Sequence, residues 1–306
     1  MKSLTYTLLD VFTNKPFSGN QLAVFHDNVQ LSTEWMQKIA RELNLSETVF
    51  VQSPDNRKNN KKLRIFTPEM ELPMAGHPTL GAAFLLAQKG WIATSEGRNE
   101  WIFEEGVGDI SVTVHKGSGD DLRIEMNQPM PQFGPSFQER ELAATLLSLS
   151  PEDLDVDLPI QTVSTGVPFL FIPVQSLEAM KSINFRMDIW EKDFSHNPST
   201  RHIFAFTAET EEEESTVHSR MFAPAMGIPE DPATGAASGP LGAYIVEHMN
   251  IVQGHEGIYQ LRSEQGFEMG RRSLIDITIR KDAEYKEVKI GGRSVIVGSG
   301  ELFLDL

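Results

Sequence analysis

The chain has no cysteine among its 306 residues. That absence excludes disulfides, thiolate metal sites and thiol nucleophiles, and it fits a reducing compartment. Positive charge is scarce as well: 27 Lys and Arg face 43 Asp and Glu, for a net charge of −16. A nucleic-acid or anionic-membrane partner calls for a basic face. The longest basic run is Lys61-Lys62, followed by Arg64, so no nucleic acid and no membrane is expected as a partner. No window approaches the roughly 18 apolar residues of a membrane helix. The opening MKSLTYTLLDVF carries Asp10 and lacks the apolar stretch of a secretory signal, so a cytoplasmic protein is expected. Several reaction motifs are missing too. There is no GxSxG nucleophile elbow and no P-loop, GVGDIS (106–111) lacks the third glycine of a dinucleotide site, and His248 and His255 have no HExxH context. The run Glu211 to Glu214 reads as a solvated loop, and no metal site is expected.

What the chain does contain is a repetition. RIFTPEMELP (64–73) and RMFAPAMGIP (220–229) agree without a gap at Arg64/Arg220, Phe66/Phe222, Pro68/Pro224, Met70/Met226 and Pro73/Pro229. Each copy runs into a polar turn, AGHPT (75–79) or EDPATG (230–235), and then into a small-residue apolar helix. A separation of 156 residues is about half the chain, which is the signature of a duplicated domain and not of a solenoid. Two equivalent turns would then face one cleft.

The pattern along each half is strand-rich. In the first half, 5–12, 20–25, 46–51 and 63–66 alternate as strands, and a helix spans about Ser32 to Leu43 with Ser32 as its cap. Segment 79–87 is apolar all round and is expected to be a buried helix, with Pro78 just before its start. Segments 101–105, 109–115 and 122–126 read as strands. Pro129-Met130-Pro131 through Gly134-Pro135 reads as the linker. The second half repeats the plan, with a buried helix at 237–249 and strands at 258–262, 274–280, 286–292, 295–298 and 301–306.

The two turns deliver two helix starts, whose unpaired N–H groups favour anions such as a substrate carboxylate. Gly76, Gly235, Ala236 and Ala237 leave those N–H groups uncovered, and His77 and Asp231 are the polar residues beside them. Glu47 stands at the mouth of an apolar strand between Leu45 and Val49. Desolvation there would bring a carboxyl group toward the range useful for proton transfer. Strand alternation requires either Ser46 or Glu47 to point inward. A hydrolase using Ser46 has no visible base.

PFSGNQLAVF (16–25), LNLSETVFV (43–51), RIFTPEMELPMAGHPTLGAAF (64–84), EDPATGAASGPLGAY (230–244) and QGFEMGRRS (265–273) resemble, in order, the signatures of the PhzF-like phenazine-biosynthesis family. The resemblance implies an α+β, diaminopimelate-epimerase-like fold. It has two pseudo-symmetric domains, each a curved, mostly antiparallel sheet around a central buried helix. The expected boundaries are 1–128 and 129–294, with the last strand, about 295–306, joining the first domain. By resemblance, Glu47 is the single acid/base in the interdomain cleft, with His77 and Asp231 as catalytic partners. Asn20, Ser46, Gly76, Gly235 and Ala236 are the substrate contacts, and the protein is a homodimer. Ala236 stands where the phenazine enzyme has a serine, which implies one substrate hydrogen bond fewer. The function expected is a cofactor-independent isomerase moving a proton between carbons of a small carboxylate metabolite. A non-catalytic metabolite-binding protein and an epimerase or racemase remain the alternatives.

Overall fold

The computed structural model describes residues 2–26, 31–119 and 121–304. The chain divides into two compact units, Met1–Asn127 with Gly291–Leu306, and Gln128–Ile290.

The first unit opens with β1 (Lys2–Val11), β2 (Asn20–Phe25), α1 (Thr33–Leu43), β3 (Glu47–Gln52) and β4 (Lys61–Phe66). It continues through β5 (Glu71–Leu72), α2 (Gly76–Gln88), β6 (Gly97–Glu105), β7 (Gly108–Lys116) and β8 (Leu122–Gln128). The pairing along this unit is β1–β2 antiparallel, β2–β3 parallel, β3–β4 antiparallel, β4–β6 parallel and β6–β7 antiparallel. The second unit holds β9 (Gln132–Ser136), α3 (Arg140–Leu147), β10 (Gln161–Ser164), β11 (Pro168–Pro173), α4 (Leu177–Ser182) and α5 (Met187–Ile189). After these come β12 (Ile203–Thr207), β13 (Val217–Ala223), β14 (Ile228–Asp231), α6 (Gly235–His248), β15 (Ile258–Gln265), β16 (Ser273–Lys281) and β17 (Tyr285–Gly292). Here β11–β12 is parallel, β12–β13 antiparallel, β13–β15 parallel and β15–β16 antiparallel. The strand order and sense of the first unit are therefore repeated in the second. The closing strand β18 (Ser294–Leu304) is continuous where two short strands were expected, and it pairs antiparallel with β1. The expected strand end at 305–306 lies outside the described residues.

In each unit the sheet packs on a helix that is buried nearly all round. Every residue of α2 from Gly76 to Ala87 is buried, and α2 packs against β1, β2, β3 and β7. Helix α6 is buried from Ala237 to Ile245 and packs on β10, β11, β15 and β16. Small residues permit that approach: a Cβ on Gly81 would lie 2.5 Å from Leu22 Cδ2, and one on Gly242 would lie 2.5 Å from Ile277 Cγ2. A helix with no polar face cannot lie at a surface, so apolar composition all round and sheet coverage are two sides of one requirement. The amphipathic α1 behaves as its sequence implies. Ser32 Oγ accepts from the Trp35 N–H, Met36, Ile39 and Ala40 are buried, and Asn44 ends the helix in the left-handed region.

Two local expectations need correction. Both buried helices begin earlier than expected, at Gly76 and Gly235, so the first polar turn is itself the first turn of α2, while the second ends where α6 begins. Pro78 becomes the third helical residue, where its missing N–H is not needed. Pro240 consequently lies in the second turn of α6, where the missing N–H would otherwise have met the Ala236 carbonyl. The stretch read as linker contains β9, which pairs with β10 through a register shift between Gln161 and Val163. A proline is tolerated at such an irregular strand. The acidic run is an exposed loop as expected, and the Glu211 and Glu212 N–H groups anchor it on the fully buried Glu264 carboxylate.

Candidate active site

Five of the expected site residues lie in the first unit. Asn20 begins β2 and is fully buried. Its position follows a constrained turn: Gly19 is left-handed at φ +67°, and a Cβ there would sit 2.3 Å from the Val11 carbonyl oxygen. Glu47 is the first residue of β3 and is only 8% exposed, whereas Ser46 beside it is half-buried. Alternation could not choose between them because β3 is covered on both faces from Glu47 to Val51. Gly76 and His77 are the first two residues of α2.

The structure brings Glu47 and His77 together. His77 Nε2 lies 3.2 Å from Glu47 Oε2, with both side chains buried. Burial drives the imidazole pKa down to about 3, against a raising contribution from the Gln21 backbone. A backbone carbonyl that raises an imidazole pKa does so by accepting its N–H. With Nε2 facing Glu47, the nitrogen bonded to Gln21 is Nδ1. The neutral ring thus presents an Nε2 lone pair to a carboxyl oxygen. Two acceptors at that distance repel unless a proton lies between them, so the geometry suits a pair that shares one proton.

Asp231, Gly235 and Ala236 belong to the second unit. Asp231 ends β14 and is buried, and its Oδ2 accepts from Thr234 Oγ1 at 2.5 Å. Gly235 and Ala236 are the first two residues of α6, and Ala236 is half-buried. Gln265, fully buried at the end of β15, fixes this turn. Its Nε2 donates to the Asp231 carbonyl at 2.7 Å and to Thr234 Oγ1 at 3.0 Å, while its Oε1 accepts from the Thr234 N–H at 3.1 Å.

The sequence reading missed Gln265, although it lies in the quoted QGFEMGRRS block. It also missed His218, whose two nitrogens bond Glu264 and Glu268 at 2.8 Å each in full burial. Burial alone would depress this imidazole, but the two carboxylates prevail and lift its pKa to about 9. The result is a buried imidazolium that ties β13 to the segment following β15. No linear motif announces it, because its partners stand 46 and 50 residues away. Among the described residues, no group of His, Asp and Glu has the geometry to hold a metal ion. No helix among them is long and apolar enough to cross a membrane.

Each unit thus wraps a sheet on a buried helix, with Glu47 and His77 meeting at the start of one helix and Asp231 standing before the other. Residues 9–300 match the family model described as phenazine biosynthesis-like protein, PhzC–PhzF. The chain is 33% identical over 300 residues to trans-2,3-dihydro-3-hydroxyanthranilate isomerase of Pseudomonas chlororaphis, covering 98% of this chain and 99% of that one. It is 36% identical to an uncharacterized isomerase of Clostridium acetobutylicum, covering 97% of each. The crystal structure of a Bacillus anthracis phenazine biosynthesis protein of the PhzF family superposes with a TM-score of 0.90 at 29% identity, covering 99% of this chain and all of that one. The chain belongs to the PhzF-like phenazine-biosynthesis family of isomerases.

Proposed function

We propose that the protein catalyses a proton shift between carbons of a small carboxylate-bearing metabolite, with Glu47 as the acid/base. The observation that carries this reading is the buried Glu47–His77 contact at 3.2 Å. A desolvated carboxyl beside a neutral imidazole can take a proton from a weakly acidic C–H, exchange it with solvent, and deliver a solvent-derived proton to another carbon. A shift of this kind leaves the overall oxidation state unchanged, so it calls for no redox cofactor.

His77 holds the carboxyl and accepts or lends the shared proton. Gly76 and Gly235, at the helix starts, offer N–H groups suited to a substrate carboxylate or to a developing oxyanion. Asp231, held by Thr234, is the further polar partner, with Asn20 and Ser46 as substrate contacts. One base acting on one face favours an isomerase over an epimerase, which needs two opposed groups. Ala236 offers no hydroxyl, and the preferred substrate therefore differs from dihydro-hydroxyanthranilate at the group a serine would bind. The same reading takes the protein as cytoplasmic on its composition and as a homodimer on family resemblance, and light scattering in solution tests the dimer.

The test incubates wild type and Glu47→Gln with trans-2,3-dihydro-3-hydroxyanthranilate in heavy water. Wild type should wash deuterium into the probe, and Glu47→Gln should keep its fold and lose the exchange. An active Glu47→Gln would end the proposal.

A further inference from the structure

The duplication extends beyond the repeated motif to a residue pair that sequence offset conceals. Strand β4 pairs with β6 as Lys61↔Phe103 and Lys62↔Glu104, and β13 pairs with β15 as Val217↔Ser263 and His218↔Glu264. Lys61 and Val217 are 156 residues apart, like the motif, so Phe103, Glu104 and Glu105 correspond to Ser263, Glu264 and Gln265. Side chains follow this correspondence. Glu104 accepts the N–H groups of Asp55 and Asn56, and Glu264 accepts those of Glu211 and Glu212, each again 156 residues on. Gly106 and Gly266 follow the two strand-end residues. A Cβ on either would press on a proline before the helix, 2.8 Å from Pro73 Cα or 2.9 Å from Pro232 Cα.

Neither buried helix caps itself: Ala75 has no side-chain acceptor, and Thr234 makes no side-chain cap bond. In the second unit Gln265 takes that role, accepting the Thr234 N–H and donating to Thr234 Oγ1, which passes its own proton to Asp231. In the first unit Glu105 occupies the same place. The Ala75 N–H approaches its carboxyl group, and its Oε1 lies 2.5 Å from Thr79 Oγ1. Thr79 Oγ1 also lies 2.6 Å from the Ala75 carbonyl oxygen. A hydroxyl has one proton and cannot donate to both. The short contacts are satisfied together when Glu105 donates its O–H to Thr79 Oγ1 and Thr79 donates to the Ala75 carbonyl. The relay then matches that of Gln265: neutral donor, threonine hydroxyl, acceptor.

We propose that Glu105 and Gln265 are equivalent positioning residues for the two helix starts, and that Glu105 works as a neutral carboxylic acid standing in for the amide. Glu105 is buried, and burial raises its pKa to about 8, in keeping with that state at neutral pH. In linking Glu105 to catalysis through Gly76 and His77, the proposal rests on the isomerase reading above. Its hydrogen-bond content does not.

The test compares full-length wild type, Glu105→Gln, Glu105→Leu and Gln265→Leu. Infrared difference spectra of wild type and Glu105→Gln at pH 7 should show a protonated-carboxyl C=O band that the substitution removes. In deuterium wash-in to trans-2,3-dihydro-3-hydroxyanthranilate, Glu105→Leu and Gln265→Leu should each lose about tenfold or more in kcat with KM little changed, as misplaced groups do. Glu105→Gln should regain most of what Glu105→Leu loses. No protonated-carboxyl band, or equal damage in the Gln and Leu variants, overturns the proposal. If wild type exchanges nothing into this probe, the isomerase reading fails for that substrate. The band, together with thermal stability ordered Glu105→Gln above Glu105→Leu, still decides the role of Glu105.

Discussion

Replacing Glu105 by Gln should make the protein more stable in alkali, and by an amount that grows with pH in a defined way. The folded state holds the Glu105 proton up to about pH 8, whereas the unfolded chain releases it near the ordinary value of 4.5. The folded state therefore binds more protons between these values, and stability falls as pH rises through that window. The gap of about three and a half units, at about 1.4 kcal/mol each, amounts to roughly 5 kcal/mol. That is comparable with the whole stability of many domains. The group is buried, and burial is the leading cause of its shift, so little of this is screened by solvent. Gln keeps the shape and a donor but has nothing to titrate. Urea unfolding of both proteins at pH 5, 7 and 9 measures the difference. Near pH 5 the two should be similar. The advantage of Glu105→Gln should then rise by about 1.4 kcal/mol per pH unit and level off above pH 8. Other titrating groups, His218 among them, are common to both proteins and cancel. A difference that is flat with pH, or a Glu105→Gln protein less stable than wild type at pH 9, would refute the reasoning.

Three further outcomes are expected. His218 has a folded pKa of about 9 against 6.5 unfolded, so its contribution is complete below pH 6.5 and is lost as pH rises through 9. His218→Gln should cost about 3 kcal/mol at pH 6 and far less at pH 10, measured by urea unfolding. The His77 ring should be neutral and protonated on Nδ1 at pH 5, read by nitrogen chemical shifts of labelled histidine; a doubly protonated ring there would contradict the assignment. Ala236→Ser should raise kcat/KM toward trans-2,3-dihydro-3-hydroxyanthranilate by about tenfold, the worth of one hydrogen bond near 1.4 kcal/mol. No gain would mean that position 236 does not face the substrate.

The fold was legible where the physics is local. Helix α1 announced its cap, stripe and left-handed stop, and the all-apolar composition of α2 and α6 required their coverage by sheet. The duplication was visible because Arg, Phe, Pro and Met recur at fixed spacing. The start of α2 was misjudged because a proline in the first turn looks like a boundary although it costs nothing there. The burial of Glu47 was undecidable from alternation, since both faces of β3 are covered. Gln265 and Glu105 escaped notice because the offset between the repeats grows from 156 to 160 residues before the strand ends, and only the glutamate before each and the glycine after it are shared. Their equivalence is set by parallel strand pairing, which joins residues more than 40 positions apart. His218 was hidden for the same reason.

The central claim is that Glu47 itself carries the migrating proton. Single-turnover transfer in heavy water, with Glu47→Gln beside wild type on one substrate that wild type converts, tests it most directly. The account predicts deuterium at the receiving carbon with wild type, and bound but unexchanged substrate with Glu47→Gln. Deuterium arriving at the wild-type rate in Glu47→Gln would contradict it.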